Sequence, residues 1–559
     1  MTYDVAIIRP VDHAYKYAQW HEDIAICYLC TALKRKGFEY RVYDFALEQK
    51  FCLEKREHDY REITSSGAKC VVWVLDKHPT NNPYYGLQSV SEMASAVGHI
   101  CHFSVYGNTQ IDPFGFFELD EIDSVVVGEE SAFISLLENL DVEPSERLTE
   151  GVLFRGQTFS KQAPLKRTSL NELGHAERYF LHEAKAGRPL VAAIQASRGC
   201  YAKCSFCFIR AKEAMHGGYG WQSRRPDDVV QEIAEIIEKY GVFDFAFVDP
   251  QLIGPGKTGK EWVHSLACQI LSLNEPKIRF SIYARANDID EENIRLLKAA
   301  GLYAVFIGVE SFSQSMLNRL KKGMTVERNL RAIRLLMDNN IMLRMGFISF
   351  DAHTTMLEVL ENCSGLKKVM GWKPHLITQP VFFNTVLVPL ADTPKGQEYS
   401  SAGLIKKNAE QEPNWREVDA KNMALMDRLN RGQGATIIRE PKVRLLNEFT
   451  RILSSELVQR STSIENAVSD HLLGIDFPGN ADHELLESKK IREWFAGLSE
   501  FAISQLVLSA EQIESVHSAE DSLLDQLVSD MRDELERYDR RVFRKKVPTW
   551  SDAQLELVD

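Results

Sequence analysis

The chain has 559 residues and a net charge of −13, from 66 basic and 79 acidic side chains. This acidic balance argues against a general nucleic-acid or anionic-membrane surface, and no apolar run approaches the ~18 residues of a spanning helix. Ten cysteines in so long a chain exclude a disulfide scaffold and predict free thiols. The start, MTYDVAIIRP, lacks the features of a secretory signal, so we expect a cytoplasmic protein with no membrane or nucleic-acid partner.

The first 135 residues alternate between strand-like and helix-like runs, which predicts a doubly wound α/β domain. The helical run IAICYLCTALKRK ends at Gly37, and we interpret its Cys27 and Cys30 as small core residues rather than a redox pair or metal half-site. Sheets of this kind bind ligands across the carboxyl ends of their strands, although the fold alone does not identify a ligand. Strands are predicted in YDVAIIRP, FEYRVYDFAL, AKCVVWVLD, CHFSVYGN and IDSVVVGEES.

Three cysteines lie within eight positions of the segment RGCYAKCSFCF, where Cys200, Cys204 and Cys207 have the spacing C-x3-C-x2-C. Independent placement would give this spacing in roughly three of a thousand chains of this cysteine content, so three unrelated thiols are a weak interpretation. Structural zinc normally needs four protein ligands, and no second cysteine pair lies nearby. Thiolates also hold iron–sulfur clusters. Three thiolates on a four-iron cluster would leave one iron open to a substrate.

Strand-like and helix-like runs alternate again after the cysteine loop, which predicts a second parallel sheet. In barrels of this kind, chemistry collects at the carboxyl ends of the strands. Asp249, Arg285, Glu310 and Ser311 lie at such ends. Taken alone, Asp249 could be a helix N-cap and Arg285 part of a structural ion pair. The predicted strands lie in LVAAIQAS, FDFAFVDPQLIG, IRFSIYARAN, YAVFIGVESFS, IMLRMGFISF and HLITQPVFFNTVLVP.

The cysteine loop and the strands after it resemble the radical S-adenosylmethionine (SAM) superfamily. The resemblance implies a partial (β/α)6 barrel in which the three thiolates hold a [4Fe–4S] cluster and the fourth iron chelates SAM. Phe206 corresponds to the family's aromatic residue between the last two cysteines. The segment GVES is similar to the family's fourth-strand segment, so Glu310 and Ser311 are candidate SAM contacts. Asp249 and Arg285 also lie at family-like positions and are candidate cofactor contacts.

The order of the two α/β regions resembles the class of radical SAM enzymes with an N-terminal cobalamin-binding domain. This resemblance covers residues 3 to about 394 and includes the sequence GEES before a helix and YGNT after the fourth strand. It implies cobalamin contacts from Gly107, Asn108, Gly128 and Glu129. Asn108 departs from the paired glycines of many members.

Cobalamin proteins that ligate cobalt through a protein histidine carry D-x-H-x-x-G after their first strand. The loop here, RPVDHAYKYAQWHED, lacks that motif, and we interpret His78, in the D-x-H sequence after the third strand, as an exposed loop residue. The resemblance implies instead that Leu75 and Asp76 lie under the corrin. We therefore predict that cobalamin binds with its own base displaced and with no protein nitrogen on cobalt.

Residues 395–559 are charged and helical by pattern, and they contain no motif that identifies a substrate. One apolar stripe predicts packing onto the barrel or onto a partner. Its members are Leu524, Leu527, Met531, Leu535 and Tyr538. The predicted domains are 1–135 for the Rossmann-like cobalamin-binding domain, 136–186 for a linker, 187–394 for the radical SAM barrel and 395–559 for a helical capping domain.

The resemblance implies a methyltransferase acting on an unactivated carbon of a small molecule or natural-product intermediate, through a 5′-deoxyadenosyl radical and methylcobalamin. Two alternatives stay open. Some relatives oxidise, cyclise or rearrange rings without methyl transfer, and a non-catalytic iron–sulfur or cobalamin sensor is a third hypothesis. The expected cofactors are a [4Fe–4S] cluster, SAM and cobalamin. We expect a monomer that receives electrons from a donor such as flavodoxin or ferredoxin.

Overall fold

The structure is a computed structural model, and all statements below concern the residues that it describes. These are 3–9, 21–50, 61–75, 101–107, 116–117, 119–142, 150–155, 169–182, 190–210, 220–377, 385–390, 393–406, 435–454, 456–457, 489–516 and 521–546.

The N-terminal region forms a six-stranded sheet in the order β2-β1-β3-β4-β5-β6. All neighbours run parallel except β6, which is antiparallel to β5. The five predicted strands are confirmed, and β6 comes from the segment predicted as a linker. The bounds are β1 Val5–Arg9, β2 Tyr40–Asp44, β3 Cys70–Leu75, β4 His102–Gly107, β5 Ser124–Val126 and β6 Val152–Phe154.

Helices cover this sheet, and the first of them shows how the sequence sets the bounds of an element. The side chain of Asp23 accepts a hydrogen bond from the Ala25 amide at the start of α1, and Gly37 ends the helix with a left-handed φ of 78°. Cys27 and Cys30 are completely buried, which confirms them as core residues. The helices here are α1 Ile24–Lys36, α2 Phe45–Lys50, α3 Arg61–Thr64 and α4 Glu130–Glu138.

The central region is a curved sheet of five parallel strands in the order β13-β12-β11-β10-β7. The predicted sixth strand is represented by Ile377, which forms a parallel bridge with Leu343. A short antiparallel pair, β8 with β9, flanks the cysteine loop. The strands are β7 Ala192–Ile194, β8 Ser197–Arg198, β9 Gln222–Ser223, β10 Asp244–Phe247, β11 Arg279–Arg285, β12 Leu302–Glu310 and β13 Met342–Phe347.

Alternate residues of these strands point to opposite faces of the sheet. Phe245, Phe280, Val305 and Leu343 are buried in the core that the outer helices cover. Their neighbours therefore line the inner face of the partial barrel. The helices of this region are α5 Leu170–Leu173, α6 Pro226–Tyr240, α7 Gly256–Ser272, α8 Glu291–Ala299, α9 Gln314–Arg319, α10 Val326–Asp338 and α11 Met356–Met370.

The C-terminal helices share one hydrophobic core with the barrel. Leu527, Met531 and Leu535 are buried in it, while Leu524 and Tyr538 pack against its edge, so the predicted stripe packs onto the barrel. No helix in the described ranges is both long and apolar enough to span a bilayer. The elements are α12 Pro394–Ser401, β14 Ile405–Lys406, β15 Ala435–Thr436, α13 at 441–454, α14 Lys489–Ser515 and α15 Asp521–Lys546.

Two leucines of α14 provide a matched test of this packing. Leu506 is completely buried, whereas 52% of Leu508 is exposed. We expect Leu506→Ala to lower the free energy of unfolding by ~2–5 kcal/mol, because it removes buried methyl groups and leaves a cavity. Leu508→Ala should change it by less than ~0.5 kcal/mol. Thermal denaturation of both variants measures the difference, and equal melting temperatures would show that α14 does not pack on the barrel.

Candidate functional site

The cysteine loop leaves the sheet after β8 and is held in place from two sides. Gly199 begins it with a φ of 76°, in the left-handed region that glycine adopts without a steric penalty. Ser205 donates from its amide and its hydroxyl to the carbonyl of Leu320, at 3.0 and 2.9 Å. The Lys395 amide donates to the Ser205 carbonyl at 2.9 Å. The barrel and the start of α12 therefore both fix the loop.

The three thiols differ in environment. Cys204 is buried, and Cys200 and Cys207 are partly exposed. Arg285 donates from Nη1 to Cys204 Sγ at 3.3 Å, which places a permanent positive charge beside the thiol. Burial raises the pKa of the Cys207 thiol to about 12, so a bound iron would have to displace that proton.

The arrangement of the thiols bears on which metal group they fit. Among the described residues, no group of three or more His, Cys, Asp or Glu side chains converges closely enough to hold a single metal ion. A zinc site needs its ligands to converge on one ion. In an iron–sulfur cluster each thiolate binds a different iron, so the sulfurs lie farther apart. The guanidinium of Arg285 beside Cys204 fits an anionic group on this loop, as an iron–sulfur cluster held by thiolates would be.

Phe206 and Arg285 both lie at the cysteine loop. Phe206 packs against the small core that contains Leu320 and Tyr399. Arg285 makes its second hydrogen bond from Nη2 to the Lys322 carbonyl at 2.6 Å. Among the described residues its hydrogen bonds go to a thiol and a backbone carbonyl, and it forms no ion pair with a carboxylate. This argues against Arg285 as part of a structural ion pair, and its cofactor contact stays a prediction.

Tyr201 and Asp288 extend this arrangement, and the sequence analysis missed both. The guanidinium of Arg285 lies 5.8 Å from the centre of the Tyr201 ring. The Tyr201 hydroxyl donates to Asp288 at 2.6 Å, and Gln251 Nε2 donates to the other oxygen of the same carboxylate, also at 2.6 Å. Burial raises the pKa of Asp288 to about 6. These contacts join the cysteine loop to the ends of β10 and β11.

Asp249 is completely buried at the end of β10. Its Oδ1 accepts a hydrogen bond from the Ser197 amide of β8, and its Oδ2 has no hydrogen-bond partner among the described residues. Burial raises the pKa of this carboxyl to about 7. The alternative of a helix N-cap is wrong, because α7 begins later, with Pro255 at its N-cap. A buried carboxyl with one unsatisfied oxygen is compatible with the predicted cofactor contact, which stays a prediction.

Glu310 and Ser311 end β12 in different environments. Glu310 Oε1 forms an ion pair with Lys322 Nζ at 2.7 Å. A Cβ added to Gly308 would lie 2.7 Å from both of these atoms, so a larger residue there would displace the ends of the two paired side chains. Ser311 donates to Asn362 Oδ1 at 2.7 Å, and its Oγ accepts from the Ser313 amide at 2.9 Å. The Ser311 hydroxyl thus stabilises the turn, and the SAM contacts of both residues stay predictions.

Glu129 connects the N-terminal sheet to the cysteine loop. Arg198, two residues before Cys200, lies 3.0 Å from Glu129 Oε1 and 3.4 Å from Glu130 Oε1. The guanidinium also lies 5.7 Å from the centre of the Tyr28 ring. All three charged side chains are buried. The carboxyl end of β5 therefore contacts the strand that leads directly into the cysteine loop.

The other predicted cobalamin contacts are only partly described. Leu75 and Gly107 pair in register at the carboxyl ends of β3 and β4, so their backbones lie at one edge of the sheet. Asp76, Asn108 and His78 lie outside the described residues. A Cβ at Gly128 would lie 2.7 Å from the Ala132 Cβ, so close packing of the chain is a sufficient reason for glycine there. The cobalamin contacts stay predictions.

The barrel region matches a known family. Residues 194–350 match the sequence model of the Radical SAM superfamily, a range that includes all three loop cysteines, Asp249, Arg285, Glu310 and Ser311. The chain therefore contains a radical SAM domain.

The curated relatives that this chain matches carry names for several different activities. The chain is 32% identical over 176 residues to a 4′-phospho-dehydrooxetanocin synthase of Priestia megaterium, a match that covers 28% of this chain and 23% of that protein. It is 31% identical over 192 residues to an anaerobic magnesium-protoporphyrin IX monomethyl ester cyclase of Rubrivivax gelatinosus, which covers 33% and 32%. A cytidylyl-2-hydroxyethylphosphonate methyltransferase of Streptomyces wedmorensis is 25% identical over 363 residues, which covers 56% and 65%. The chain thus spans a quarter to a third of the first two relatives.

Solved structures share the complete fold. The cobalamin-dependent SAM radical enzyme OxsB, with aqua-cobalamin and SAM bound, aligns with a TM-score of 0.68 and 17% identity over 99% of this chain and 83% of its own. The radical SAM methyltransferase TsrM of Kitasatospora setae, with cobalamin and a [4Fe–4S] cluster bound, aligns with a TM-score of 0.58 and 16% identity over 90% of this chain and 100% of its own. The chain therefore has the fold of cobalamin-dependent radical SAM enzymes, with Rossmann-like, barrel and helical regions.

The buried ion pair of Arg198 gives a stability prediction. Arg198→Met leaves the carboxylates of Glu129 and Glu130 buried without their cation, and breaking a buried pair costs ~3–5 kcal/mol. Arg225 provides the control, because it pairs with Asp227 at 3.5 Å while 69% and 64% of the two side chains are exposed. Arg225→Met should cost less than ~1 kcal/mol. Thermal denaturation compares the two variants, and equal effects would contradict a buried pair between the regions.

The raised pKa of Asp249 predicts that the stability of the protein depends on pH. The folded protein keeps the carboxyl proton of Asp249 up to about pH 7, because burial raises its pKa. The unfolded chain releases the same proton near the ordinary pKa of 3.8. Unfolding therefore releases a proton between these values, and the contribution of Asp249 to stability is lost as the pH rises. Since one pKa unit corresponds to ~1.4 kcal/mol, the upper bound is ~4 kcal/mol.

The measurement is urea unfolding of the wild type and Asp249→Asn at about pH 5 and about pH 8. The difference between them isolates Asp249, because the two proteins share every other titrating group. We expect the variant to gain stability relative to the wild type at the higher pH. A difference that does not change with pH would show that Asp249 is already ionised in the folded protein.

Proposed function

We propose that the chain is a cobalamin-dependent radical SAM enzyme that methylates an unactivated carbon of a small molecule or natural-product intermediate. The observation that carries the proposal is the C-x3-C-x2-C loop at the carboxyl end of a parallel barrel, with Arg285 donating to Cys204 at 3.3 Å. The match of residues 194–350 to the Radical SAM superfamily and the fold shared with OxsB support it.

Cys200, Cys204 and Cys207 would hold a [4Fe–4S] cluster. The guanidinium of Arg285 would offset the negative charge of a thiolate at the buried Cys204, which supports this assignment. When bound and reduced, such a cluster supplies the electron that cleaves SAM. The protein fixes the loop through Ser205 and lines the adjoining strand ends with polar groups. In this proposal the carboxylate of Glu310 accepts a hydrogen bond from the SAM amine or ribose.

Cobalamin would lie across the carboxyl ends of β3, β4 and β5. Gly107, at the end of β4, is in register with Leu75, and Glu129, beyond β5, contacts Arg198. That contact lies at the carboxyl end of β5 and supports a cobalamin position beside the cysteine loop. A substrate between the two regions would be near both cofactors and shielded from water, which radical chemistry requires.

Two reactions could follow the radical step, one with methyl transfer and one without it. The relative named as a methyltransferase matches over 363 residues, which favours methyl transfer. The relative named as a cyclase is more similar, at 31% identity over 192 residues, which favours a rearrangement without methyl transfer. We propose methyl transfer as the primary function, with a flavodoxin or ferredoxin as the electron donor and a monomeric enzyme.

One experiment tests both parts of the proposal, the cleavage of SAM and the transfer of a methyl group. Protein is reconstituted with iron, sulfide and cobalamin. It is then incubated anaerobically with methyl-labelled SAM, a reductant and an extract of the cells that produce the protein. Mass spectrometry then measures 5′-deoxyadenosine and labelled products. We expect both from the wild type. The variant with alanine at all three loop cysteines should form neither but should still bind cobalamin, because that site lies in another region. Cys268→Ala, which removes an exposed cysteine outside the loop, is the matched control and should be active.

Each contrary outcome identifies a different error. Formation of 5′-deoxyadenosine by the triple variant would overturn the cluster assignment. Stoichiometric zinc with no uptake of iron would support a zinc site. Production of 5′-deoxyadenosine without transfer of the label would support oxidation or cyclisation, and bound cobalamin with no SAM cleavage would support a sensor.

A further inference from the structure

The inner face of the barrel sheet carries a row of three side chains in register. Tyr283 on β11 pairs with Phe306 on β12, and Phe306 pairs with Arg344 on β13. The Arg344 guanidinium lies 5.6 Å from the centre of the Phe306 ring. A half-buried cation thus lies beside two aromatic rings in the interior of the partial barrel.

The position of this row relates it to the cysteine loop. Arg285, Gly308 and Gly346 form the next row toward the carboxyl ends of the strands, and Arg285 contacts Cys204. Because a strand rises ~3.3 Å per residue, the Cα of Arg344 lies ~7 Å deeper along β13 than the Cα of Gly346. Arg344 therefore lies one row below the level at which the barrel reaches the cysteine loop.

The other cations of this region have anionic or thiol partners. Arg279 pairs with Asp244 at 3.3 Å, and Lys322, which reaches the end of β12, pairs with Glu310 at 2.7 Å. Arg285 donates to the Cys204 thiol.

Arg344 differs from them. Within the described part of the chain it has no hydrogen bond or ion pair, and its Nε is buried without a partner. Leaving a buried donor of a charged group unsatisfied is costly, so native proteins normally provide a partner.

We infer that Arg344 binds an anionic group of the substrate, a phosphate or a carboxylate, at the inner face of the barrel sheet. This inference rests on the proposed function, because it assigns that face to a substrate. The planar fork of a guanidinium binds two oxygens of such a group at once. Tyr283 and Phe306 would contact the apolar part of the same molecule. The reactive carbon would then point toward the cysteine loop.

The test measures binding and does not need turnover. Inorganic phosphate and acetate are titrated separately into the reconstituted protein by calorimetry, and SAM is titrated in parallel. Arg344→Met keeps a long, flexible side chain and removes the positive charge. We expect it to weaken binding of at least one of the two anions by about tenfold or more, because the charged hydrogen bonds are lost, and to leave the affinity for SAM unchanged. The anion that shows the larger effect identifies the substrate group.

Arg334→Met is the matched control. Arg334 also stacks on an aromatic ring, 5.2 Å from the centre of Trp372, but it lies on the outer surface and pairs with Asp338. Its removal should not change anion binding. Arg344→Lys, which keeps the charge but loses the fork, should weaken binding less than the methionine variant does. It also provides a test if the methionine variant does not fold.

Three results would overturn the inference. They are no saturable binding of either anion to the wild type at millimolar concentration, equal binding by the wild type and Arg344→Met, or a loss of SAM affinity in place of anion affinity. The last would make Arg344 a SAM ligand. A protein that binds the anion through Arg344 but never cleaves SAM would instead refute the proposed function alone, so the two failures are distinguishable.

Discussion

The contact of Arg198 with Glu129 and Glu130 is the interaction on which the geometry of the site depends. It joins the carboxyl end of the N-terminal sheet to the residue that precedes the cysteine loop. Buried ion pairs contribute little net stability, because the cost of removing the charges from water offsets their attraction. Replacing only one partner of such a pair is costly, however, because it leaves the other charge buried without a counter-charge. Such a pair therefore favours one relative position of the two regions over the alternatives.

A second buried network supports the same junction through the connecting segment. Arg178 pairs with Glu232 of α6 at 2.6 Å and lies 3.8 Å from Glu22 at the start of the N-terminal helices. Glu22 also accepts hydrogen bonds from the Phe180 and Leu181 amides, while burial raises its pKa. Within the described part of the segment predicted as a linker, Arg178, Phe180 and Leu181 thus connect Glu22 of the N-terminal region to Glu232 of α6. Ser205 also forms hydrogen bonds to Leu320 of the barrel and to Lys395 of α12. The N-terminal region, the barrel and the start of the C-terminal region therefore all position the cysteine loop.

The sequence predicted those parts of the structure that depend on local pattern. Five N-terminal strands and five barrel strands follow from apolar runs between polar turns, and the loop cysteines follow from their spacing. Strand β6 has only three residues and pairs antiparallel, so no repeating pattern marked it. Arg285 and Asp249 were identified as candidates, but their partners, a thiol and a backbone amide, depend on chain segments about 50 to 80 residues away. Arg198 and Arg344 were missed for the same reason, because only tertiary structure shows which cation has a partner.

The end of β12 shows how a functional position can be maintained against local preference. Glu310 has a φ of 64°, a left-handed conformation that costs a residue other than glycine of the order of 1 kcal/mol. The pairing register with β13 also shifts between Gly308 and Glu310. Two contacts offset the strain: the Ile348 amide donates to the Glu310 carbonyl at 2.8 Å, and Lys322 pairs with the Glu310 carboxylate in the space beside Gly308. The irregularity turns the carboxylate toward Lys322, whose carbonyl binds Arg285. Since a regular strand would avoid both the strain and the register shift, their presence at this one strand end favours a role for Glu310 beyond folding.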